Sequence, residues 1–205
     1  MSDIQRVLVP LADGFEEIEA VTVIDVLRRA GLEVVVADLG EAGRSDTGQG
    51  EQLVRGAHEL SVATDATFDE VDLADVEAIV LPGGLPGATN LQSDERVLDA
   101  CRFMVERGRW VAAICAAPIV LASAGLLEDH DATSYPAFRD RLGGARVVNE
   151  ERVVVSGRVI TSVGPGTALD FALTLVAVLC GPDMAREMAE AMIAEGFAER
   201  AGIGT

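Results

Sequence analysis

The chain of 205 residues carries 34 acidic and 16 basic side chains, a formal net charge of -18 and 49% hydrophobic residues. This length favours one domain with a sizeable core, and no apolar run reaches the roughly 18 residues of a membrane-spanning helix. The charge argues against a nucleic-acid partner, because phosphate recognition needs a basic patch that the sequence lacks.

Strands and helices alternate along most of the chain. Runs of β-branched residues predict strands at residues 6–10, 33–39, 76–81 and 110–114, and a short strand at 59–63. Amphipathic patterns predict helices at residues 16–30, 94–108, 118–124, 167–179 and 184–197. The polar, glycine-rich residues 40–56 predict a loop, and residues 152–155 and 158–162 flank a two-residue turn typical of a hairpin.

This alternation predicts an α/β fold, a three-layer sandwich around a mostly parallel central sheet. We expect a single domain over residues 1–205 with a C-terminal helical extension at about 183–205. The chain starts without a signal-peptide pattern, and Cys101, Cys115 and Cys180 have neither metal-ligand spacing nor the even number of a disulfide framework. We therefore expect a cytoplasmic protein that holds no metal and binds no membrane.

The strongest chemical signal lies at the end of the strand at residues 110–114. Cys115 follows this strand directly, and the sequence continues with two alanines and Pro118, which can open a helix. Ala113 and Ala117 flank the cysteine at the spacing that a nucleophile elbow uses for small residues. The following helix directs its N–H groups towards the sulfur, so we expect a thiolate with a lowered pKa. A buried, inert cysteine is the alternative.

A carboxylate beside such a cysteine can move protons if burial raises its pKa. The loop after the first strand contains four carboxylates in seven residues, from Asp13 to Glu19. Helical periodicity places Glu19 on the inner face of the first helix, whereas we expect Glu16 and Glu17 on the surface.

Two further turns follow strands of the predicted sheet, at the edge where ligands bind in open α/β folds. Gly83 and Gly84 end the third parallel strand and could present bare N–H groups to an oxyanion, or could form only a tight turn. Gly164 and Pro165 lie in a glycine-rich turn before a helix and could line the same site. A dinucleotide is disfavoured, because the first strand leads into carboxylates that would repel a pyrophosphate.

Histidine is scarce, which bears on the reaction class. His58 lies in a polar region and His130 stands among acidic residues, so we expect both on the surface. Without an evident Cys-His pair, acyl transfer lacks its usual base. Addition of a thiolate to an aldehyde needs only one carboxylic acid to protonate the hemithioacetal.

Five collinear motifs give the chain a resemblance to the ThiJ/PfpI superfamily, in the branch of the human parkinsonism-associated protein and its bacterial relatives. They are A-D-G-F-E-E-I-E, V-L-R-R-A-G, V-L-P-G-G-L-P-G-A-T-N-L, A-A-I-C-A-A-P and I-T-S-V-G-P-G-T-A-L-D-F-A-L, which together cover residues 4 to about 181. The resemblance implies a flavodoxin-like sandwich and a homodimer built partly through the first helix.

For the site, the resemblance implies that Cys115 is the oxidisable nucleophile and Glu19 its protonated partner. It also implies that the backbone amides of Gly83, Gly84 and Ala116 hold an anion. Members are described as cofactor-independent glyoxalases, disputed deglycases, redox-responsive chaperones or intracellular proteases. The protease branch has histidine directly after its cysteine, whereas this chain has Ala116.

One position departs from the pattern of the relatives, which carry histidine in a T-H-P segment that faces the cysteine. The matching residues here are Ser134, Tyr135 and Pro136. Tyrosine can donate a hydrogen bond but, with a pKa of about 10, is a poor base at neutral pH. If the histidine moves protons in relatives, this protein should be slower or should depend on Glu19 alone.

These observations favour a cysteine-dependent enzyme that acts on small 2-oxoaldehydes without a cofactor, through a hemithioacetal on Cys115. The alternative is a non-enzymatic sensor of oxidative stress, or a chaperone, that responds through oxidation of Cys115. An amidase or protease is the third interpretation, and it would need a histidine from another subunit.

All 16 basic residues are arginine. Because carboxylates are in large excess, the negative side chains should repel one another in dilute buffer. At molar salt the Debye length falls to about 3 Å and most of this repulsion is screened. We therefore predict a protein adapted to high salt, whose melting temperature rises from low to molar KCl. A melting temperature that falls with added KCl would contradict this prediction.

Overall fold

The computed structural model describes residues 5–40, 52–194 and 196. Its strands are β1 (Arg6–Leu11), β2 (Glu33–Asp38), β3 (Leu53–Arg55), β4 (Ser61–Ala63), β5 (Ala66–Thr67), β6 (Val76–Leu81), β7 (Trp110–Ile114), β8 (Asp131–Ala132), β9 (Arg146–Val147), β10 (Val153–Ser156) and β11 (Val159–Ser162). Its α-helices are α1 (Glu17–Arg29), α2 (Gly87–Ser93), α3 (Glu95–Glu106), α4 (Pro118–Ser123), α5 (Ala168–Cys180) and α6 (Pro182–Ala191).

Seven strands form the central sheet in the order β10-β11-β7-β6-β1-β2-β5. Neighbouring strands run parallel, except that β10 pairs antiparallel with β11 as the predicted hairpin. The α/β class, the mostly parallel sheet and the hairpin are therefore confirmed. Because β1, β6, β7 and β11 are parallel, their carboxyl ends meet at one edge of the sheet, where ligands bind in such folds.

Helices cover both faces of the sheet and give the molecule its three layers. Alternation along β1 sends Val7, Val9 and Leu11 to one face and Leu8 to the other. The first face packs against apolar residues of α1, α5 and α6, and the second against those of α2, α3 and α4. Cys101 is fully buried on α3, as its helical periodicity predicts.

The short elements are the ones that sequence patterns missed. Of the strand predicted at 59–63, the structure confirms Ser61–Ala63 as β4. Its partner β3 lies within the loop predicted at 40–56, and residues 41–51 of that loop are outside the described residues. Helix α2 was not predicted. The last helix begins earlier than predicted, at Pro182, and ends at Ala191, so most of the predicted extension beyond it is outside the described residues. Such short elements depend on tertiary contacts more than on local pattern.

Among the described residues, no helix combines the length and the apolar character that crossing a membrane would require.

Candidate active site

Cys115 lies at a sharp turn between β7 and α4. Its backbone has φ 65°, a left-handed conformation that non-glycine residues rarely adopt. The Cys115 N–H donates to the Ser162 carbonyl at 2.9 Å, and its own carbonyl accepts the Tyr135 N–H at 2.8 Å. Neighbouring strands and loops thus hold the strained residue in place, as functional sites often require. The turn has the strained strand-to-helix geometry that the small residues around Cys115 predict.

Glu19 is fully buried beneath this elbow, as the periodicity of the first helix predicts. Its Oε2 accepts the Gly83 N–H at 2.7 Å, and its carboxyl lies close enough to the Cys115 side chain for each group to shift the pKa of the other. Its Oε1 has no nitrogen or oxygen partner. A buried carboxyl with an open oxygen beside a sulfur can donate its proton there.

The two acids perturb each other. Burial raises the pKa of Glu19 from 4.5 to about 7, against the hydrogen bond from Gly83, which lowers it. Burial, together with the negative Glu19 carboxylate, raises the pKa of Cys115 to about 12. The expected lowering of the Cys115 pKa by its helix is therefore wrong for the thiol taken alone. Helix α4 has six residues, and its contribution does not offset burial beside a second acid.

Two acids in contact titrate as a pair, so these pKa values belong to the pair. Near pH 7 the pair loses its first proton and carries one negative charge. Because Glu19 has the lower pKa, this charge resides mainly on the carboxylate, and a minor form carries it on the sulfur. Backbone hydrogen bonds from Gly84 and Ala116 lower the pKa of Cys115 and so favour charge on sulfur. The hydrogen bond from Gly83 favours charge on the carboxylate.

The three backbone amides proposed for the anion site do not share one role. Gly84 and Ala116 are directed at the sulfur, whereas the Gly83 N–H is already bonded to Glu19 and serves to place that carboxyl. Gly83 also has no room for a side chain, because an added Cβ would lie 2.7 Å from the Cys115 Cβ and 2.8 Å from Glu19 Oε2. The glycine is required for Glu19 and Cys115 to meet.

Gly164 and Tyr135 also border the Cys115 side chain. A Cβ built on Gly164 would lie 3.9 Å from the Cys115 Sγ and 3.4 Å from Tyr135 Cδ2, so the tyrosine ring reaches the rim of the thiol site. Tyr135 is 46% exposed, and Pro165 is half-buried next to Gly164. Tyr135 therefore occupies the neighbourhood in which the resemblance implies a histidine.

Glu16 and Glu17 do not lie on the open surface, which corrects the sequence-based expectation. Glu17 is 4% exposed, its Oε2 contacts His58 Nδ1 at 2.9 Å, and its Oε1 accepts the backbone N–H groups of His58 and Leu60. The hydrogen bond to Glu17 raises the pKa of His58. His58 itself is exposed, as predicted. A loop 41 residues away supplies these partners, and no local signal reveals that pairing.

Within the described residues, Glu16, Glu17 and His58 are a group of three metal-ligand types, with one atom of each within 4.8 Å of the others. The Glu17 carboxylate already accepts hydrogen bonds from His58 and Leu60. We therefore interpret the group as an ion pair between Glu17 and His58 at the start of α1. His130 hydrogen-bonds Ser156, away from the elbow.

Comparison with known proteins matches residues 5–178 to the model of the DJ-1/PfpI family. Protein DJ-1 homolog B of Arabidopsis thaliana is 38% identical over 94% of this chain and 42% of its own length. The glutathione-independent glyoxalase DJR-1.2 of Caenorhabditis elegans is 34% identical over 86% of this chain and 89% of its own. The solved structure of oxidized DJ-1 from Toxoplasma gondii superposes with a TM-score of 0.83 at 37% identity, covering 92% of this chain and 98% of that one.

This chain spans less than half the length of the two Arabidopsis relatives. It matches nearly the whole length of the nematode and Toxoplasma proteins. The part that this chain has in common with all these proteins is therefore one copy of this fold.

The raised pKa of Glu19 predicts how stability depends on pH. Between about pH 4.5 and about pH 7 the folded chain keeps a proton that the unfolded chain releases, so this stability is present below that window and is lost as pH rises through it. Relative to Glu19→Gln, the wild-type free energy of unfolding should fall by on the order of 3 kcal/mol across the window. Urea unfolding of both proteins at several pH values measures the difference, and parallel curves would contradict it.

Proposed function

Because the chain belongs to the DJ-1/PfpI family, we propose that it is a cysteine-dependent, cofactor-independent enzyme acting on small 2-oxoaldehydes such as methylglyoxal. The observation that carries this proposal is the contact between Cys115 at its strained elbow and the fully buried Glu19. The likeness to a relative named as a glutathione-independent glyoxalase supports it. Only the thiol, one carboxyl and backbone amides are needed for this chemistry.

The reaction starts from the singly charged pair with its charge on sulfur and the proton on Glu19. The Cys115 sulfur forms a bond to the aldehyde carbon, the carbonyl π pair moves to oxygen, and Glu19 protonates that oxygen to give the hemithioacetal. The Gly84 and Ala116 N–H groups, which face the sulfur, are placed to stabilise the developing oxyanion.

The Glu19 carboxylate then removes the proton from the former aldehyde carbon to give an enediolate and returns that proton to the adjacent carbon. The hydroxyl proton of the hemithioacetal passes to the former ketone oxygen, so that the ketone becomes an alcohol and the sulfur is held as a thioester. Water cleaves the thioester, which releases a hydroxy acid and restores the thiol. Aldehyde oxidation and ketone reduction balance within one molecule, so no external oxidant or reductant is consumed. One general base carries both proton transfers, which is the role that burial of Glu19 favours.

Tyr135 sets this chain apart from relatives that have histidine in the corresponding segment. Its hydroxyl can orient a substrate carbonyl but is a poor base at neutral pH. Proton transfer in this protein therefore rests on Glu19, and turnover is slower than with a histidine at that position.

The proposal includes a cytoplasmic homodimer formed partly through α1. Two large apolar side chains on this helix, Ile18 and Val21, are 56% and 47% exposed in the single chain. Contact between two copies would cover them and bring the start of α1, which carries Glu19, close to the interface.

Substitution of the nucleophile tests the enzyme. Cys115→Ala removes the sulfur that forms the hemithioacetal beside Glu19, and we predict loss of at least about 100-fold in kcat/KM for methylglyoxal. Product acid is measured at molar KCl, with Cys180→Ala as the matched control because that cysteine is exposed at the end of α5. Equal rates for wild type and Cys115→Ala would remove Cys115 from the mechanism.

A redox sensor or chaperone is the second candidate, favoured by the partly exposed thiol and by the likeness to a relative solved in an oxidized state. For this function, titration with peroxide adds two oxygens selectively to Cys115, as intact mass and peptide mapping report. Selective sulfinate formation without any methylglyoxal turnover would favour the sensor, and turnover would favour the enzyme.

A further inference from the structure

Arg152 contacts the wall of the thiol site from outside. It precedes the edge strand β10, and its guanidinium bonds one group in the β11-to-α5 connection, at Gly166, and one in the first turn of α5, at Asp170. Its Nε donates to Asp170 Oδ2 at 2.6 Å, and its Nη2 donates to the Gly166 carbonyl at 2.6 Å. The Arg152 carbonyl also accepts the Ser162 hydroxyl at 2.8 Å. One residue thus bonds three points along this connection.

The segment of residues 162–167, which we name the Gly164 segment, is the part that meets Cys115. The Ser162 carbonyl accepts the Cys115 N–H at 2.9 Å, and a Cβ built on Gly164 would lie 3.9 Å from the Cys115 Sγ. Inside the segment, Thr167 Oγ1 lies 2.7 Å from Ser162 Oγ and accepts the Gly164 N–H at 3.0 Å. These bonds stiffen the segment, and Arg152 ties it to the sheet edge and to α5.

Burial makes the ion pair asymmetric. The Asp170 side chain is 8% exposed, whereas that of Arg152 is 50% exposed. Exposed ion pairs contribute little to stability, but a buried carboxylate that loses its cation is left with an uncompensated charge, which favours its rearrangement. Asp170 stands in the first turn of α5, directly after the Gly164 segment, so its rearrangement would move that segment.

We propose that Arg152 is a positioning residue, which through Gly166 and Asp170 holds the Gly164 segment against Cys115 and so sets the width of the thiol site. Its effect reaches the sulfur through the segment, since its side chain touches neither the sulfur nor Glu19. A guanidinium is suited to this task, because its planar fork serves a carboxylate and a carbonyl at once and a lysine cannot.

The inference rests on the proposed thiol chemistry, and thiol alkylation tests it separately from turnover. The three cysteines of the chain serve as internal probes: Cys115 reports the site, exposed Cys180 is a reference and fully buried Cys101 reports unfolding. Peptide-resolved labelling with iodoacetamide and with a bulky maleimide gives each rate in the same sample.

In Arg152→Ala we expect the ratio of Cys115 to Cys180 labelling to rise by about threefold or more, with the larger gain for the bulky reagent and with Cys101 unlabelled. Methylguanidine in the buffer should restore the wild-type ratio. Arg152→Lys keeps a cation near Asp170, so we expect a smaller rise in the ratio of Cys115 to Cys180 labelling. Methylglyoxal turnover, where present, should fall about tenfold because the reacting groups are less well held.

Arg102→Ala is the matched control, since Arg102 also joins a carboxylate and a carbonyl, at Asp99 and Ala124, but on the opposite face of the sheet. It should leave the Cys115 ratio unchanged. An unchanged ratio in Arg152→Ala, an equal rise in Arg102→Ala, or labelling of Cys101 in step with Cys115 would overturn the inference. If the wild type does not turn over methylglyoxal but Arg152→Ala still changes the labelling ratio, the proposed enzyme is refuted and the role of Arg152 is upheld.

Discussion

The contact between the Glu19 carboxyl and the Cys115 thiol is the interaction on which the rest of the site depends. It joins the first turn of α1 to the elbow after β7, and the Gly83 N–H from the end of β6 fixes its geometry. Because both groups are acids in a poorly solvated position, they resist carrying two negative charges. The chemistry of the site follows from where the single charge and the remaining proton reside.

Steric constraints around this contact explain several residues that carry no reactive group. Gly83 leaves room for the carboxyl and the sulfur to meet, and Gly84, at φ 87°, turns its N–H towards the sulfur. Gly164 also borders the sulfur without a side chain of its own, and Arg152 bonds the chain around it at Gly166 and Asp170. The site therefore needs small residues around one cysteine, with ordinary packed elements behind them.

Local patterns in the sequence were sufficient for the fold and for the central pair. Alternating strands and helices predicted the parallel sheet, and the small residues around Cys115 together with the helical phase of Glu19 predicted the elbow and its buried acid. The pairing of Glu17 with His58 and the clamp by Arg152 were not predictable, because their partners are 41 and 14 to 18 residues away and only the folded chain brings them together. The pKa of Cys115 was misjudged for a related reason: a helix start is visible in sequence, whereas the extent of burial beside a second acid is a property of the packed structure.

The pH dependence of Cys115 alkylation, measured in wild type and in Glu19→Gln, tests the shared charge most directly. If the two acids titrate as a pair, the wild-type rate rises through about pH 7, reaches a plateau and rises again only in strong alkali. In Glu19→Gln the step near pH 7 disappears, and a single rise remains at the pKa of the isolated, buried thiol. Identical profiles in the two proteins, each with one rise at the ordinary cysteine pKa of about 8.5, would contradict the account.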